Sequence, residues 1–461
     1  MKLMSPTDAM FLVPETREQP MHVGTLELFR APEGAGKDYL ENIFQELLAS
    51  DDIAPRFRQR PHRSVATLGQ WTWVEDDDVD LEHHVRHSAL PRPGRVRELL
   101  ALTSRLHSTL LDRHRPMWEM HLIEGLEDGD RFAVYTKVHH SLMDGVSGFK
   151  LLQRALSDDP KDPGPLAWFG SEVNQRPPKD GADGGGLLRL PLAGVRAATD
   201  IAGVAPTLVR VANRALRETR AAMPMQAPRS IFNVGITGAR RFAAQSWPIE
   251  RLRAVGKASE TTLNDVVLAM CSGALRAYLE ELGELPDTSL VAMTPVSLRR
   301  DDAGDDGGNA VAAVLCNLGT DLADAGERLA AVHESMQHAK DTLSGLNQLQ
   351  ATAVSALMVA PVTATLFSAT ASSMLPPAYN LVISNVPGPR EPLYFRGAEM
   401  DGVYPLSIPT NGQALNITLA SYNGNVEFGL IGCRRRVPRL QRLLVHLEDS
   451  LADLEAAVES R

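Results

Sequence analysis

Residues 134–148, VYTKVHHSLMDGVSG, contain a closely spaced polar set at the spacing HHxxxDG, namely His139, His140, Asp144 and Gly145. The residues before the set alternate as in a β-strand, and 148–158 has the spacing of a helix, which predicts a strand, a turn and a helix. Neighbouring side chains on an extended backbone point to opposite faces, so only one of the two rings can enter a given pocket. That ring could exchange a proton with a substrate near neutral pH.

The set has other interpretations. A histidine at a strand end is often a structural residue with satisfied hydrogen bonds, and 81-LEHHVRHSAL-90 contains a second adjacent pair, His83 and His84, without a following Asp-Gly. A metal site is disfavoured because diverging rings are poor co-ligands and no Cys/His set has zinc spacing. We expect the carboxylate of Asp144 to hold the loop and Gly145 to let the backbone fold tightly beside it.

The composition indicates an ordinary globular protein of 461 residues, with 44% hydrophobic and 23% charged residues. A formal charge of −10 argues against nucleic acid as a partner. The chain has 3 cysteines, which lie far apart, and its first residues lack a signal-peptide core, so we expect a cytoplasmic protein. No run reaches about 18 apolar residues, so a spanning helix is not expected.

A break in composition divides the chain. Residues 160–186 are rich in proline and glycine and are interpreted as a linker. Residues 187–222 have a helical rhythm with many arginines, which fits either a solvated connecting helix or a surface helix attracted to anionic lipid. Strands and helices occur on both sides of the break. The fold class expected is therefore α/β (α+β), with two lobes at 1–180 and 225–461 and a linker and basic helix at 181–224.

Several blocks, taken with HHxxxDG, resemble the wax ester synthase/diacylglycerol acyltransferase family of bacterial lipid enzymes. The blocks are 5-SPTDAMFLVPETREQPMHVG-24, 115-RPMWEMHLIEGL-126, 264-ND-265, 294-TPVSLR-299 and 383-ISNVPGPREPLYFRGA-398. That family belongs with chloramphenicol acetyltransferase and the condensation domains of peptide synthetases. The resemblance implies two chloramphenicol-acetyltransferase-like lobes, each a mixed sheet with helices, with the active site at their interface. Met117 stands where the family usually has leucine, a near-isosteric change.

The resemblance implies O-acylation of a fatty alcohol or diacylglycerol by a long-chain acyl-CoA, with no cofactor beyond that co-substrate. His140 would be the general base, and no covalent acyl-enzyme would form. Consistently, there is no Gly-x-Ser-x-Gly motif, and the cysteines lack a catalytic context. Two other functions remain open. One is an acyltransferase that uses carrier-protein thioesters or a smaller alcohol, and the other is a non-catalytic lipid-droplet protein.

Further site residues follow from the same resemblance. Asn264 and Trp118 are expected to line the substrate site, although helix capping and core packing are the commoner uses of such residues. Arg299 is a candidate partner for the Asp144 carboxylate, and Asp265 is expected to support the site. Peripheral association with a membrane or lipid inclusion is also expected.

Residues 342–389 contain no charged residue. A plain core segment is one interpretation. The other is a helix and strand that line the channel for an acyl or alcohol chain, because each buried methylene contributes roughly 0.8 kcal/mol. Leu357 and Ala360 fall on one helical stripe, and the small side chains on that stripe would leave room for such a chain.

Overall fold

A computed structural model describes residues 2–67, 69–174, 227–297, 311–343 and 365–460. In chain order the strands are β1 Lys2–Leu3, β2 His22–Arg30, β3 Gln59–Arg63, β4 Trp71–Glu75, β5 Val85–Ala89, β6 Trp118–Leu126, β7 Arg131–His139, β8 Arg240–Pro248, β9 Val291–Ser297, β10 Val311–Asn317, β11 Leu381–Val386, β12 Tyr394–Phe395, β13 Ala398–Leu406, β14 Leu415–Tyr422 and β15 Asn425–Cys433. The helices are α1 Pro6–Leu12, α2 Tyr39–Leu48, α3 Leu81–His84, α4 Val96–His107, α5 Gly145–Arg154, α6 Ser171–Asn174, α7 Ile249–Ala258, α8 Leu263–Leu282, α9 Ala325–Leu343, α10 Ala369–Met374 and α11 Arg442–Glu459.

Each lobe is built on a mixed six-stranded sheet. The first has the order β12-β13-β2-β7-β6-β5, and the second has the order β10-β9-β11-β14-β15-β8. Strand β5 runs parallel to β6, while β11 runs parallel to both β9 and β14. A small sheet, β1-β4-β3, accompanies the first lobe. The predicted α/β class with two mixed-sheet lobes is confirmed.

The helix α8 shows why the second lobe folds as it does. Thr262 caps it, because the threonine Oγ1 accepts the Asp265 N–H and the Asp265 carboxylate accepts the Thr262 N–H. Gly283 ends it in the left-handed conformation at φ 67°. Between these ends the helix buries an almost continuous apolar surface against α9 and α11. Local signals thus set the bounds of α8, and tertiary packing stabilises it.

The chain crosses from the second lobe to the first after β11. Strand β13 pairs antiparallel with β2, from Glu399 opposite Arg30 to Leu406 opposite Gly24. Gly388, just after β11, allows the crossing because an added Cβ would lie 2.1 Å from the Ser421 carbonyl oxygen. The division at 180 and 225 borders residues outside the described ranges and stays a prediction. The sheet of the first lobe is completed by a segment from the second half of the chain.

The two lobes also meet along α4. Ser104 of α4 and Ser108 at its C-cap accept backbone N–H groups from the edge strand β8. Ser104 Oγ accepts the Phe242 N–H at 2.9 Å, and Ser108 Oγ accepts the Arg240 N–H at 2.9 Å. An apolar cluster shared by both sheets includes Leu26 and Ile123 of the first lobe and Ile431 of the second. The edge of the second sheet is thus covered by a helix of the first lobe.

Candidate active site

The HHxxxDG set lies where β7 ends. His139 is the last residue of β7 and is fully buried, with 0% of its surface exposed. Its Nδ1 accepts the Ser141 N–H at 3.1 Å and lies 2.7 Å from the Ser141 hydroxyl. An accepting Nδ1 leaves the ring proton on Nε2. The first histidine therefore closes the turn that follows the strand.

The other nitrogen of His139 faces a buried carboxylate. Nε2 lies 3.2 Å from Oε1 of Glu15, whose side chain is 2% exposed. Oε1 also accepts the Met21 N–H, while Oε2 accepts two bonds from Arg113 at 2.9 and 2.8 Å. Burial raises the pKa of Glu15, but the bonds from His139, Met21 and Arg113 outweigh it and hold the pKa below its usual range. The carboxylate is therefore ionised at neutral pH.

His140 is half-buried and lies in the turn that follows β7. Its N–H donates to the Met21 carbonyl at 2.9 Å, and its ring stacks on Phe11 of α1 with centroids 3.9 Å apart. Nδ1 is shielded from solvent, so Nε2 is the ring nitrogen left for a substrate. Burial lowers the pKa of His140 to about 4, although the Asp144 charge opposes the shift. The imidazole is neutral at pH 7 and can accept a proton.

Asp144 caps the helix that follows. Its Oδ1 accepts the Ser147 N–H at 2.9 Å and its Oδ2 accepts the Ser147 hydroxyl at 2.8 Å, which fixes the start of α5. Gly145 is the first residue of α5, is not among the positive-φ residues, and an added Cβ would meet nothing within 4 Å. The tight fold expected at Gly145 is therefore not found. The glycine instead leaves open space in front of the helix.

Trp118 is part of the core of the first lobe. Its ring is 0% exposed, stacks on His84 and Phe169, and donates from Nε1 to the Phe57 carbonyl at 2.9 Å. It pairs with Val138, so its side chain points to the face of the sheet opposite His139. The structure therefore does not bring the Trp118 ring to the motif histidines.

Asn264 and Asp265 occupy the first turn of α8. Asn264 is half-buried, and its amide makes no hydrogen bond to another described residue, which leaves it available to a ligand. Asp265 is 1% exposed, and its Oδ2 lies 2.7 Å from Nδ1 of His333 on α9. Asp265 thus supports the helix start that presents Asn264. Arg299, Leu357 and Ala360 lie outside the described residues.

The motif sits where the lobes meet. Gln19 lies just before β2. Its side chain donates to the Leu366 carbonyl at 3.0 Å and accepts the Asn411 N–H at 2.8 Å. Both partners belong to the second lobe, while the neighbouring Met21 binds His140. The segment that surrounds His140 is therefore also the segment that contacts the second lobe.

Sequence reasoning missed two of the residues around the motif, Phe11 and Glu15. Both belong to the block at 5–24, which carried the family resemblance but showed no spacing that would link it to residue 139 or 140. The three cysteines are buried, and burial raises the pKa of Cys271 and Cys316 to about 12, which disfavours thiolate chemistry there. Within the described ranges no group of three or more His, Cys, Asp or Glu side chains is arranged to hold a metal.

The chain is similar in sequence to known proteins over nearly its whole length. The sequence profile of the wax ester synthase/diacylglycerol acyltransferase catalytic domain matches residues 4–267, and that of the C-terminal domain of the same family matches 307–455. A probable diacylglycerol O-acyltransferase of Mycobacterium tuberculosis is 52% identical over 460 residues, covering 99% of this chain and 100% of that protein. An O-acyltransferase of Acinetobacter baylyi is 40% identical over 470 residues, covering 99% and 98%.

Solved structures agree. The wax ester synthase/diacylglycerol acyltransferase of Marinobacter aquaeolei superposes with a TM-score of 0.79 at 44% identity, and the whole of both chains is covered. The first condensation domain of the calcium-dependent antibiotic synthetase has a TM-score of 0.55 at 17% identity over 99% of this chain and 95% of that one, and this likeness shows the shared fold alone. By sequence and by structure, the chain belongs to the wax ester synthase/diacylglycerol acyltransferase family.

Proposed function

We propose that the protein transfers a long-chain acyl group from acyl-CoA to the hydroxyl of diacylglycerol or a fatty alcohol. The observation that supports this most directly is His140, a neutral, half-buried imidazole of which only Nδ1 is shielded from solvent, at the strand end where the two lobes meet. Relatives that are 52% identical over the full chain are named diacylglycerol O-acyltransferases, which favours diacylglycerol as the first acceptor to test.

The chemistry needs one base. Nε2 of His140 takes the proton of the acceptor hydroxyl as its oxygen attacks the thioester carbonyl, and a tetrahedral oxyanion forms. The C–S bond then breaks, the ester is released, and the CoA thiolate recovers the proton from His140. The amide of Asn264, which makes no hydrogen bond to another described residue, is our candidate donor to the oxyanion, since such donors stabilise the developing charge. The Asp144 carboxylate caps the start of α5 beside the base, and Gly145 leaves the space in front of that helix open.

A competition assay tests this function. Purified protein is given palmitoyl-CoA with equal amounts of dipalmitoylglycerol and hexadecanol, and thiol release and both esters are measured. Triacylglycerol formation that depends on His140 is the expected result. Replacing acyl-CoA by an acyl carrier protein thioester in a second arm separates a carrier-dependent acyltransferase. Absence of thiol release with every donor and acceptor would leave the protein as a non-catalytic lipid-binding member of the family.

We also propose that the protein is cytoplasmic and associates peripherally with a lipid surface. Within the described ranges no helix has the length and apolar character needed to cross a bilayer. Four of the large exposed apolar side chains are Val13, Phe367, Met374 and Leu375. The Gln19 amide bonds both the Pro14 and the Leu366 carbonyls, which brings Val13 close to Phe367. Such a patch fits an apolar phase better than water.

Vesicle sedimentation tests the lipid surface. Phe367→Ser with Met374→Ser is expected to weaken binding to vesicles that contain diacylglycerol, while Val445→Ser, an exposed apolar residue on α11, serves as the matched control. Exchanging Arg210, Arg214 and Arg217 for glutamine tests the basic segment, and it should weaken binding to anionic vesicles while activity on dispersed substrate persists. Unchanged binding by both variants would exclude association through these surfaces.

A further inference from the structure

The Glu15 carboxylate joins two elements that surround the motif. It lies between α1 and β2 and is in contact with Met21, His139 and Arg113, as described above. Arg113 is 33% exposed and also donates from Nη2 to the Leu12 carbonyl at 2.8 Å. Leu12 follows Phe11, the residue that stacks on His140. The Glu15 and Arg113 pair therefore connects the end of α1 to the end of β7.

Both motif histidines depend on this pair. Nε2 of His139 carries the ring proton, because Nδ1 already accepts the Ser141 N–H, and it lies 3.2 Å from Oε1 of Glu15. His140 is bonded through its own N–H to the Met21 carbonyl, and the Met21 N–H is in turn held by Glu15. The backbone of His140 and the ring of its neighbour are thus fixed to the same carboxylate.

We propose that Glu15 is a positioning residue that fixes His139 as the Nε2–H tautomer and, with Arg113, holds the His140 ring between Phe11 and the strand end. If His139 moved its proton to Nδ1, the Ser141 N–H would lose its acceptor and the turn that carries His140 would shift. A displacement of about 1 Å at a reacting group can reduce rate by about a hundredfold. The effect on rate rests on the proposed function, whereas the tautomer does not.

Glu15→Gln is the direct test. Glutamine keeps the shape of the side chain but cannot satisfy its neighbours. In one orientation its amide nitrogen faces the donors of Arg113, and in the other it faces the Met21 N–H and the His139 Nε2–H. We expect kcat to fall by about ten- to a thousandfold, with KM for palmitoyl-CoA within about threefold of wild type, because the substrate-binding surface is not altered.

The chain offers a matched control on the same face of the sheet. Glu119 is also buried at 6% exposure and lies 2.9 Å from Lys137 Nζ and 3.2 Å from His121 Nε2, but it contacts neither motif histidine. Glu119→Gln should lower the melting temperature to a similar degree and leave kcat within about threefold of wild type. A purely structural role for Glu15 would make the two variants alike in both measurements.

The tautomer is read independently of activity. In protein labelled with ¹⁵N-histidine, the His139 resonances, assigned by their loss in His139→Gln, should show a protonated Nε2 and a bare Nδ1 in wild type. Glu15→Gln should lose that signature, and Glu119→Gln should keep it. If Glu15→Gln does not fold, Arg113→Lys replaces it, with an expected several-fold loss of kcat from the freed α1.

The outcomes separate the two proposals. Wild-type kcat in Glu15→Gln, or an unchanged tautomer with a kcat that falls only as far as in Glu119→Gln, overturns the positioning role. A wild-type protein that releases no thiol overturns the proposed function instead, and in that case the ¹⁵N signature alone decides whether Glu15 sets the tautomer.

Discussion

Two adjacent histidine pairs lie in the first lobe and share more than their sequence. His84 stacks on Trp118 with centroids 4.4 Å apart, and His140 stacks on Phe11 at 3.9 Å. Burial lowers the pKa of each ring to about 4. Asp80, before the first pair, caps α3, and Asp144, after the second pair, caps α5. Burial, stacking and a shifted pKa therefore do not distinguish a reactive histidine from a structural one.

His84 and His140 differ in what surrounds their ring nitrogen atoms. His84 is fully buried, its Nδ1 is bonded to the Trp118 carbonyl at 2.8 Å, and its Nε2 is shielded from solvent. Neither nitrogen can meet a substrate. His140 is half-buried, with only Nδ1 shielded, and it stands next to the segment that contacts the second lobe. A candidate base is recognised by a free lone pair that faces a place where substrate can enter.

The largest expected effect separates the pairs by activity. His140→Ala should lose about a hundred- to ten-thousandfold in kcat while the protein stays folded, since the base is removed. His139→Ala should lose less, because that ring packs. His84→Ala should lower the melting temperature and leave the kcat of the folded protein near wild type. Thiol release and thermal unfolding measure both properties, and a folded His84→Ala as inactive as His140→Ala would break the comparison.

Much of the motif's setting could be predicted from sequence because it is local. Alternation predicted the strand before the histidines, observed as β7, and the Asn423-Gly424 turn between β14 and β15 uses residue types that tolerate its φ of 40° and 80°. The contacts of Glu15 with Arg113 and His139 could not be predicted, because these residues, far apart in sequence, meet only in the folded chain. The crossing of β13 to β2 is non-local in the same way. Trp118 shows the converse, since a residue in a family block proved to be core.

A second effect concerns pH. His140 has its pKa lowered to about 4, so it stays neutral, and active as a base, as pH falls from 8 to about 5. Activity should then decline as pH approaches 4. Had the ring an ordinary pKa of about 6.5, the decline would begin near that value. A pH profile of kcat/KM at constant ionic strength, limited to conditions where the protein is folded, measures the difference.

The stacked rings of His84 and His140 should appear in the pH dependence of stability. A histidine kept neutral in the folded protein takes up a proton on unfolding below about pH 6.5, so stability present above that pH is lost as pH falls toward 4. A pKa that differs by one between the folded and unfolded protein corresponds to about 1.4 kcal/mol of stability. His84→Gln and His140→Gln should each flatten the dependence of the unfolding free energy on pH, measured by denaturant unfolding. Burial raises the pKa of Glu27 to about 8, which gives a slope of the opposite sign. Because Glu27 is present in all three proteins, its contribution cancels when each variant is compared with wild type. Equal slopes in wild type and both variants would contradict the buried neutral rings.

A third, smaller effect comes from the stacked aromatic. Phe11→Ala uncovers His140, so the pKa of His140 should rise from about 4 toward its ordinary value and the acid decline of activity should move to higher pH. At pH 7 the loss of kcat should be only a few-fold, because the ring is still neutral. Phe11→Leu, which keeps most of the apolar cover, is the matched control. A profile that does not move in Phe11→Ala would mean that Phe11 does not shield the base.

The smallest expected effect compares the two capping aspartates. Asp80 accepts the His83 N–H at the start of α3 and pairs with Arg115 at 3.0 Å, and Asp144 accepts the Ser147 N–H at the start of α5. Removing either cap by substitution with alanine should cost about 0.5–2 kcal/mol of stability. Only Asp144→Ala should also lower kcat, because α5 begins beside His140, while α3 carries His84, whose ring is buried. Asp144→Asn sharpens the test, since asparagine caps as well as aspartate but has no charge. If Asp144 acts as a cap alone, Asp144→Asn keeps both melting temperature and kcat. If it also pairs with Arg299, as the family resemblance implies, Asp144→Asn loses kcat and stability together, and Arg299→Gln reproduces that loss.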